Sequence, residues 1–440
     1  MRKGRYCVVG VLAAIGCSAV GQQPVSGRNP MDSISQLPAY RAAHDTIPLL
    51  PVSRIDSLPM AERTAWREYV RRSELRRAAD TADMNAELRS VGRSVGRSAM
   101  VRAPYVAGFE ITKAMTPAWF ATDSVRRLAD NILTFQAPNG GWSKHVDFAQ
   151  HPRAPGESYF SESAQWQWIS TIDNGATTSE MWFLALADSV RPDARYRSAF
   201  LRGLEYLLAA QFPNGCWPQV WPLAGSYHDA ATFNDDATTN VMQLLQEVAA
   251  GRFPYASTEQ RARARSSLDA GVECVLRAQV KVDGKLTVWG QQHDPLTLEP
   301  TSARSYELTS LSAQESVNIM RFLMRLPSPS PLIVASVNAA ADWFKANSLS
   351  DYTYDAASGL HESPGAGPIW ARMYEIGTNR PIFSDRNGVK LYDWRQLKDR
   401  RRGYGWYTYA PVSALRDYEK WSRAHANARV GSSTRAVRRS

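Results

Sequence analysis

The fold is decided by residues 128–142, LADNILTFQAPNGGW, and by their repetition at residues 204–217 as LEYLLAAQFPNGCW. A weaker third copy, VECVLRAQ, spans residues 272–279 and precedes an Asp-Gly pair and Trp289. Each copy places apolar residues at the i, i+3, i+4 and i+7 spacing of a helix, and a turn follows in which Asn or Asp tolerates positive φ. The chain therefore repeats a unit that begins with a helix.

A second helical pattern follows the turn in each unit. Thr177-Thr-Ser-Glu180 and Ser312-Ala-Gln-Glu315 have the form of capping boxes, which open helices. Units of this length favour helix pairs over four-stranded propeller blades. We therefore predict an all-α dominated fold, an α/α toroid of three helix pairs with long irregular loops and a few short strands, including residues 352–409.

The ends of the chain differ from the repeats in composition. Basic residues at positions 2, 3 and 5 precede an apolar run at 7–20 and small residues at 19–21, which is the pattern of a secretory signal. We predict a signal peptide at 1–21, a linker and basic helical extension at 22–104, the main domain at 105–423 and a disordered basic tail at 424–440. Residues 57–91 of the extension predict a solvated helical hairpin that packs on the main domain and stops at Gly92.

The signal predicts a secreted or periplasmic protein, and Cys17 leaves a lipoprotein open as an alternative. The apolar run is shorter than the ~20 residues of a spanning helix, and no later run is longer, so we expect no transmembrane segment. Cys216 and Cys274 are the cysteines that remain after the signal. Their spacing does not decide whether they pair.

The net charge of +10 is almost entirely due to arginine, since nine of the 52 basic residues are lysines. Such a charge favours a polyanionic partner: a nucleic acid, an acidic membrane surface or an acidic polysaccharide. Export argues against nucleic acid, and removal of the three basic residues of the signal lowers the charge to +7. We expect a monomer.

Three polar clusters precede the second helices, at residues 171–175 (TIDNG), 233–237 (FNDDA) and 303–307 (ARSYE). In an α/α toroid the ends of the inner helices converge, so residues of different repeats can meet there. For any single cluster, helix capping is the better explanation. Three clusters without His or Cys favour a site for a hard cation such as Ca²⁺ over a Zn²⁺ site.

A basic aromatic stretch near the C-terminus contains Arg372, Arg380 and Arg386. Guanidinium groups bind carboxylates with two parallel hydrogen bonds, and Tyr and Trp offer faces for sugar rings. The alternative is an ordinary surface on which these arginines pair with Asp and Glu.

The ordered motifs of the main domain resemble those of the family 10 pectate lyases. They are NGGWxK, TIDN, PNGxWPQ, NDxA, WxxQHD, ARxYEL and IWAR, at residues 139–144, 171–174, 213–219, 234–237, 289–294, 303–308 and 369–372. The resemblance covers about residues 110–410. It implies an α/α toroid that cleaves polygalacturonate by β-elimination with Ca²⁺.

Carried over position by position, the resemblance implies Arg304 as the base and Asp235 as a Ca²⁺ ligand. Asp173 is implied as a second Ca²⁺ ligand with a catalytic role, binding the ion chiefly when substrate is present. An arginine base is chemically demanding because its pKa lies above ~12, so nearby cations or alkaline pH must favour the neutral form. The implied substrate-binding residues are Lys144, Arg372, Arg380 and Arg386.

Two other functions fit the same residues. An inverting glycoside hydrolase would use Asp173 and Asp235 as its carboxylate pair. A non-catalytic protein that binds acidic polysaccharide would keep the cations without the reaction. The role of Asp236 is also open, because the family often has an amide at that position.

Overall fold

The computed structural model describes residues 49–95, 100–112, 114–162, 170–355 and 358–433. The predicted signal, Cys17 and nearly all of the linker lie outside these residues. The chain forms two compact units. Of the described residues, the first unit contains those within 49–229 and 240–269, and the second contains those within 230–239 and 270–433.

Helices make up most of the regular structure in the described part of the chain, as predicted. They are α1 (Val52–Asp56), α2 (Met60–Ser90), α3 (Pro117–Phe120), α4 (Asp123–Thr134), α5 (Thr178–Val190), α6 (Ala194–Ala210), α7 (Ala237–Ala249), α8 (Thr258–Ala278), α9 (Ala313–Arg325), α10 (Pro331–Ala346) and α11 (Ala410–Ser433).

The strands are two to four residues long and pair in antiparallel fashion. The strands are β1 (Ala231–Thr232), β2 (Lys281–Val282), β3 (Lys285–Leu286), β4 (Gln292–His293), β5 (Pro300–Thr301), β6 (Leu311–Ser312), β7 (Tyr352–Asp355), β8 (Gly359–Glu362), β9 (Trp370–Ala371), β10 (Met373–Tyr374), β11 (Phe383–Ser384), β12 (Lys390–Leu391) and β13 (Tyr407–Thr408). One sheet has the order β1-β4-β5, and the pairs are β6-β10, β11-β12, β9-β13, β2-β3 and β7-β8.

The glutamine of each repeat joins its own turn to a later helix. Gln136 Nε2 donates one hydrogen bond to Gly140 O at 2.7 Å and another to Ala199 O of α6 at 2.8 Å. Both amide hydrogens are therefore used, which holds the turn against that helix. The same arrangement recurs where Gln211 binds Gly215 O and Ser267 O of α8, and where Gln279 binds Thr287 O and Ser336 O of α10.

The tryptophan that ends each turn is fully buried and binds the helix before it. Trp142 Nε1 donates to Ile132 O at 2.9 Å, in the last turn of α4. Carbonyl groups in the last turn of a helix lack a partner within the helix, so the indole satisfies one of them. Trp217 binds Leu207 O of α6 and Trp289 binds Val275 O of α8 in the same way.

The predicted capping boxes form only in part. Thr177 does not cap α5 with its side chain. Its hydroxyl instead accepts a hydrogen bond from Trp142 N at 2.9 Å and donates to Thr171 O at 2.9 Å. The Thr177 N–H does bind the Glu180 carboxylate, as a capping box requires. The second box is wrong, because Ser312 makes no capping bond and its hydroxyl binds the Glu315 carboxylate.

Both ends of the described chain differ from the sequence prediction. The extension is not a hairpin but one helix of 31 residues, α2, preceded by the five-residue α1. It stops before Gly92, which has a φ of 69°. At the other end α11 continues to Ser433, past the start of the predicted disordered tail, because residues 424–430 hold three alanines and no helix breaker.

Two further features answer expectations from the sequence. Cys216 and Cys274 are both disulfide-bonded. Within the described residues, no helix combines the length and the apolar character that crossing a membrane requires.

Substitution of Gln279 by Leu tests the contribution of the repeated glutamine. Gln279→Leu removes both donors and leaves the Thr287 and Ser336 carbonyl groups without them, so the free energy of unfolding is expected to fall by about 1–3 kcal/mol. Urea denaturation measures it. The matched control is Gln150→Leu, at an exposed glutamine that binds Asp147, with an expected change within about 0.5 kcal/mol. Equal effects of the two substitutions would contradict this role.

Candidate active site

In the first unit, the first predicted cluster forms a short 3₁₀ turn at Asp173–Gly175. Its middle residue, Asn174, has a φ of 51° and a ψ of 32°, a left-handed conformation that Asn adopts more readily than most residues. The Asp173 N–H donates to Thr171 Oγ1 at 3.0 Å, and that hydroxyl donates to Gln219 O at 2.6 Å. Residues before the turn thus fix the Asp173 backbone.

Lys144 lies against this turn. Its Nζ is 2.6 Å from Asp173 Oδ2 and 3.2 Å from Asn174 Oδ1. The Glu162 carboxylate lies beside Lys144, with Oε2 3.6 Å from Nζ. Its other oxygen, Oε1, contacts the ring of His145. Burial opposes the charge of Glu162, but His145 and Lys144 outweigh it and lower its pKa.

The second cluster forms the same kind of turn, at Asn234–Asp236, in the second unit. Here the left-handed middle residue is Asp235, with a φ of 47° and a ψ of 38°. Position by position, Asp173 therefore corresponds to Asn234, and Asn174 corresponds to Asp235. The two predicted metal ligands do not occupy equivalent positions of the repeat.

Arg372 is the centre of a polar network in the second unit. Its Nη2 lies 3.3 Å from Asn234 Oδ1 and 3.7 Å from Asp235 Oδ1, and it binds the buried Glu315 carboxylate. Burial opposes a charge on Arg372, but Glu315 and the other partners outweigh it and raise its pKa. The guanidinium is also 4.7 Å above the ring of Tyr404.

Arg304 is held by Glu307. The Arg304 Nε donates to Glu307 Oε2 at 2.8 Å, and Nη2 binds the other carboxylate oxygen. The side chain of Arg304 is 36% exposed, whereas that of Glu307 is 4% exposed. Burial favours the neutral form of Glu307, but Arg304 and then Arg372 outweigh burial and keep its pKa below the usual range.

Sequence patterns did not predict two members of this network, Gln291 and Tyr404. Gln291 Nε2 donates to Asn234 Oδ1 at 2.6 Å and lies 3.3 Å from the Tyr404 hydroxyl. That hydroxyl donates to Glu307 Oε1 at 3.1 Å. The WxxQHD motif contains Gln291 at one of its variable positions, so only its neighbourhood was indicated.

The third predicted cluster is not in register with the other two. Trp289 N donates to the Ser316 hydroxyl at 3.0 Å, as Trp142 N does to Thr177. In the third repeat, the position equivalent to the turns at Asp173 and Asn234 is therefore near Ser312. Residues 303–307 form a separate loop before it. Arg304 reaches the network through Glu307 instead.

Two predicted substrate-binding arginines have contacts outside this network. Arg380 is exposed and lies 3.8 Å above the ring of Tyr392. Arg386 Nη1 is 3.5 Å from Asp399 Oδ2. Their roles remain predictions from the resemblance.

A hard cation fits the donor chemistry around Asp235, although the protein offers an incomplete set of ligands. Asp235 has a side chain that is 38% exposed, and Asn234 adds an amide oxygen. Throughout the described ranges, no group of three or more His, Cys, Asp or Glu side chains is arranged to hold a metal ion. Burial raises the pKa of the neighbouring Asp236 to about 6.

Comparison with known proteins gives consistent matches. Residues 136–414 match the family model described as pectic acid lyase. A family 10 polysaccharide lyase from Cellvibrio cellulosa is 35% identical, with a TM-score of 0.62, over 71% of this chain and 98% of that chain. An aspartate-to-alanine mutant of that enzyme, solved with trigalacturonic acid, matches with the same identity and TM-score over 69% of this chain and 96% of the other.

No curated protein matches the chain. The matches to the lyase structures confirm the resemblance and the predicted class, a helix-dominated α/α toroid.

The Arg304–Glu307 pair is expected to make stability depend on pH. Because the pKa of Glu307 is lowered in the folded protein, its charge stabilises the fold above the unfolded pKa of about 4.3, and this stability is lost as the pH falls through the folded value. Glu307→Gln should therefore lower the melting temperature at pH 7 and have a smaller effect below about pH 4. Glu74→Gln, at an exposed glutamate, is the control. A difference that stays constant with pH would contradict the pairing.

Proposed function

The chain belongs to the pectic acid lyase family, and on that premise we propose that it is a Ca²⁺-dependent pectate lyase that cleaves α-1,4-polygalacturonate by β-elimination. The observation that carries the proposal is the network of Arg304 and Arg372 with Asp235. Trigalacturonic acid, which the related enzyme was solved with, supports the substrate class. The family favours this function over the hydrolase and the binding protein.

The reaction suits a site rich in arginine. In a uronate the hydrogen on C5 is α to the C6 carboxylate. Removal of that proton leaves an electron pair that forms the C4–C5 double bond, and the bond between C4 and the glycosidic oxygen breaks. The leaving oxygen takes a proton from water. Negative charge accumulates on the carboxylate in the transition state, so fixed cations next to it accelerate the reaction.

The charge balance of the network favours an additional cation. Asp235, Glu307 and Glu315 contribute three carboxylates, whereas Arg304 and Arg372 contribute two guanidinium groups. Asp235, on its left-handed turn, would hold Ca²⁺ through its carboxylate oxygen atoms, which this ion prefers, and Asn234 would lie beside the ion without binding it. When bound, Ca²⁺ would neutralise the uronate carboxylate and stabilise the developing charge.

We assign Arg304 as the base. Glu307 binds Nε and one terminal nitrogen on the same edge of the guanidinium, which fixes the orientation of its plane. Arg372 acts electrostatically on the same Glu307 carboxylate, so both guanidinium groups are coupled to one anionic partner. Alkaline pH favours the neutral arginine that abstracts the C5 proton.

In the first unit, Lys144 and Asp173 are proposed to contact the substrate and the ion. The ammonium of Lys144 neutralises Asp173 in the substrate-free protein. A uronate carboxylate would compete for Lys144, and Asp173 would then be able to offer its oxygen atoms to Ca²⁺. Asp173 would therefore bind Ca²⁺ chiefly in the presence of substrate. Arg372, Arg380 and Arg386 are proposed to bind further carboxylates.

Export of the protein is part of the proposal. Residues 1–21 have the pattern of a secretory signal, and the bonded state of Cys216 and Cys274 suits an oxidising compartment. Fractionation of cells that express the full chain tests this directly. Mature protein in the periplasm or medium is expected, and uncleaved protein in the cytoplasm would contradict it.

Incubation with polygalacturonate tests the reaction. Elimination gives an unsaturated uronate that absorbs in the ultraviolet, whereas hydrolysis gives only new reducing ends. Absorbance is expected to rise with Ca²⁺ at mildly alkaline pH, to stop after chelation and to recover when Ca²⁺ is added back. Reducing ends without absorbance would indicate a hydrolase, and substrate binding without either product would indicate a binding protein.

Substitution of Arg304 tests its role as the base. Arg304→Ala is expected to lower kcat by about 10²–10⁴-fold, which is typical for loss of an acid–base group, and to change oligogalacturonate binding little. Steady-state kinetics and calorimetry measure the two effects. The control is Arg395→Ala, at a side chain that is 79% exposed. Loss of binding with unchanged kcat would make Arg304 a substrate-binding residue instead.

A further inference from the structure

Helix α2 precedes the part of the chain that matches the lyase family, which begins at residue 136. It is nonetheless not a solvated element, because one face is buried along its length. The residues of that face recur every three, four or seven positions. They are Trp66, Tyr69, Ser73, Asp80, Met84 and Leu88.

We infer that α2 braces the turn that carries Asp173, and that Asp80 is the positioning residue through which it does so. The effect of this contact on catalysis rests on the proposed function, whereas the contact itself does not. The contacts that carry it all lie within the first unit.

The first contact joins Asp80 to the turn of the first repeat. Asp80 is 5% exposed, and its Oδ2 accepts a hydrogen bond from Asn139 Nδ2 at 3.2 Å. Asn139 Oδ1 in turn accepts from Gly141 N at 3.1 Å and from the Ser170 hydroxyl at 2.7 Å. The orientation of the Asn139 amide is thus fixed from the side of α2.

Ser170 is three residues before Asp173, and hydrogen bonds hold the intervening chain. Thr171 N donates to Trp142 O at 3.0 Å. The Thr171 hydroxyl accepts from Asp173 N at 3.0 Å. Gly141 packs so closely on Ser170 that an added Cβ would lie 2.7 Å from its Cβ. A shift of Asn139 is therefore transmitted to the Asp173 turn.

The second set of contacts holds the segment from Gln219 to Leu223, which is hydrogen-bonded to the chain just before Asp173. Ser73 Oγ accepts from Leu223 N at 2.8 Å, and Arg77 Nη1 donates to Leu223 O at 3.4 Å. The same segment supplies Gln219 O, which accepts from Ile172 N at 3.1 Å. The two segments that contact the Asp173 turn, around Asn139 and around Leu223, are therefore both hydrogen-bonded to α2.

Helix α2 has anchors that do not involve Asp80. Trp66 and Tyr69 both pack on Phe212 with ring centroids 5.2 Å apart, and the Tyr69 hydroxyl donates to Ala210 O at 2.9 Å. Near the other end, Glu87 Oε1 accepts from Arg153 Nη2 and Gly156 N, both at 2.6 Å. Substitution of Asp80 is thus expected to leave the helix docked.

Hydrogen–deuterium exchange of the full-length protein tests the brace. Asp80→Ala removes the acceptor of Asn139 and also the hydrogen bonds that Arg76 donates to Asp80 Oδ1. It is expected to speed amide exchange at residues 139–144 and 170–175 by about tenfold, which corresponds to about 1.4 kcal/mol for the lost bond to Asn139. Exchange along α2 should stay unchanged. Asp80→Asn keeps an oxygen acceptor for Asn139 and should restore slow exchange.

The matched control is Asp83→Ala, at an acidic residue of the same helix that is 54% exposed and lies 3.6 Å from Arg76. It should leave both segments unchanged. Ser73→Ala is an independent second variant, expected to speed exchange at residues 219–225. Unchanged exchange at 170–175 in Asp80→Ala, or a uniform increase over the whole unit, would overturn the inference.

Kinetics separate a positioning role from general destabilisation. Asp80→Ala should raise KM for polygalacturonate or the Ca²⁺ concentration for half-maximal rate several-fold at a temperature well below its melting point. If the wild-type protein has no lyase activity, the proposed function fails while the exchange experiment still decides on the brace. Normal kinetics together with fast exchange would overturn the catalytic meaning of the contact.

Discussion

The side-chain amide of one glutamine per repeat is the interaction on which the rest of the structure depends. It binds a carbonyl of its own turn and a carbonyl of a later helix, so one residue sets the distance between a turn and the next helix. The buried tryptophan then closes the turn onto the preceding helix. The position of the backbone at the tryptophan is therefore fixed where the next segment begins. The polar turns at Asp173 and Asp235 lie on the segments that follow Trp142 and Trp217.

Local patterns in the sequence were sufficient for the helices and turns of the repeats and for the first two polar clusters, because each depends on neighbours a few residues away. They were insufficient for the network around Arg372, whose partner Glu315 is 57 residues away and was predicted to be part of a capping box. Tyr404 lies 113 residues from Gln291. Packing of the helical extension on the main domain was predicted, but the contacts of Ser73 and Asp80 were not, because polar residues on a helix are ordinarily exposed and the partners Leu223 and Asn139 are distant in sequence.

The excess of arginine has a different meaning in the structure from the one suggested by the net charge of +10. At the site, Arg304 and Arg372 are bound to carboxylates that are nearly buried, so they add no local excess of positive charge. The exposed carboxylate of Asp235 leaves the bonded groups with one negative charge. Binding of a polyanion there therefore calls for an added cation, which agrees with the proposed use of Ca²⁺. The arginines order the site and orient the substrate carboxylate.

The central claim is that the enzyme breaks the glycosidic bond by removing a proton, without adding water across it. Mass spectrometry of the products formed from a defined oligogalacturonate in heavy-oxygen water tests this most directly. The account predicts one fragment with an unsaturated, dehydrated sugar at its new end, and no heavy oxygen introduced at cleavage. Incorporation of one heavy oxygen atom per broken bond, with fully hydrated fragments, would contradict it.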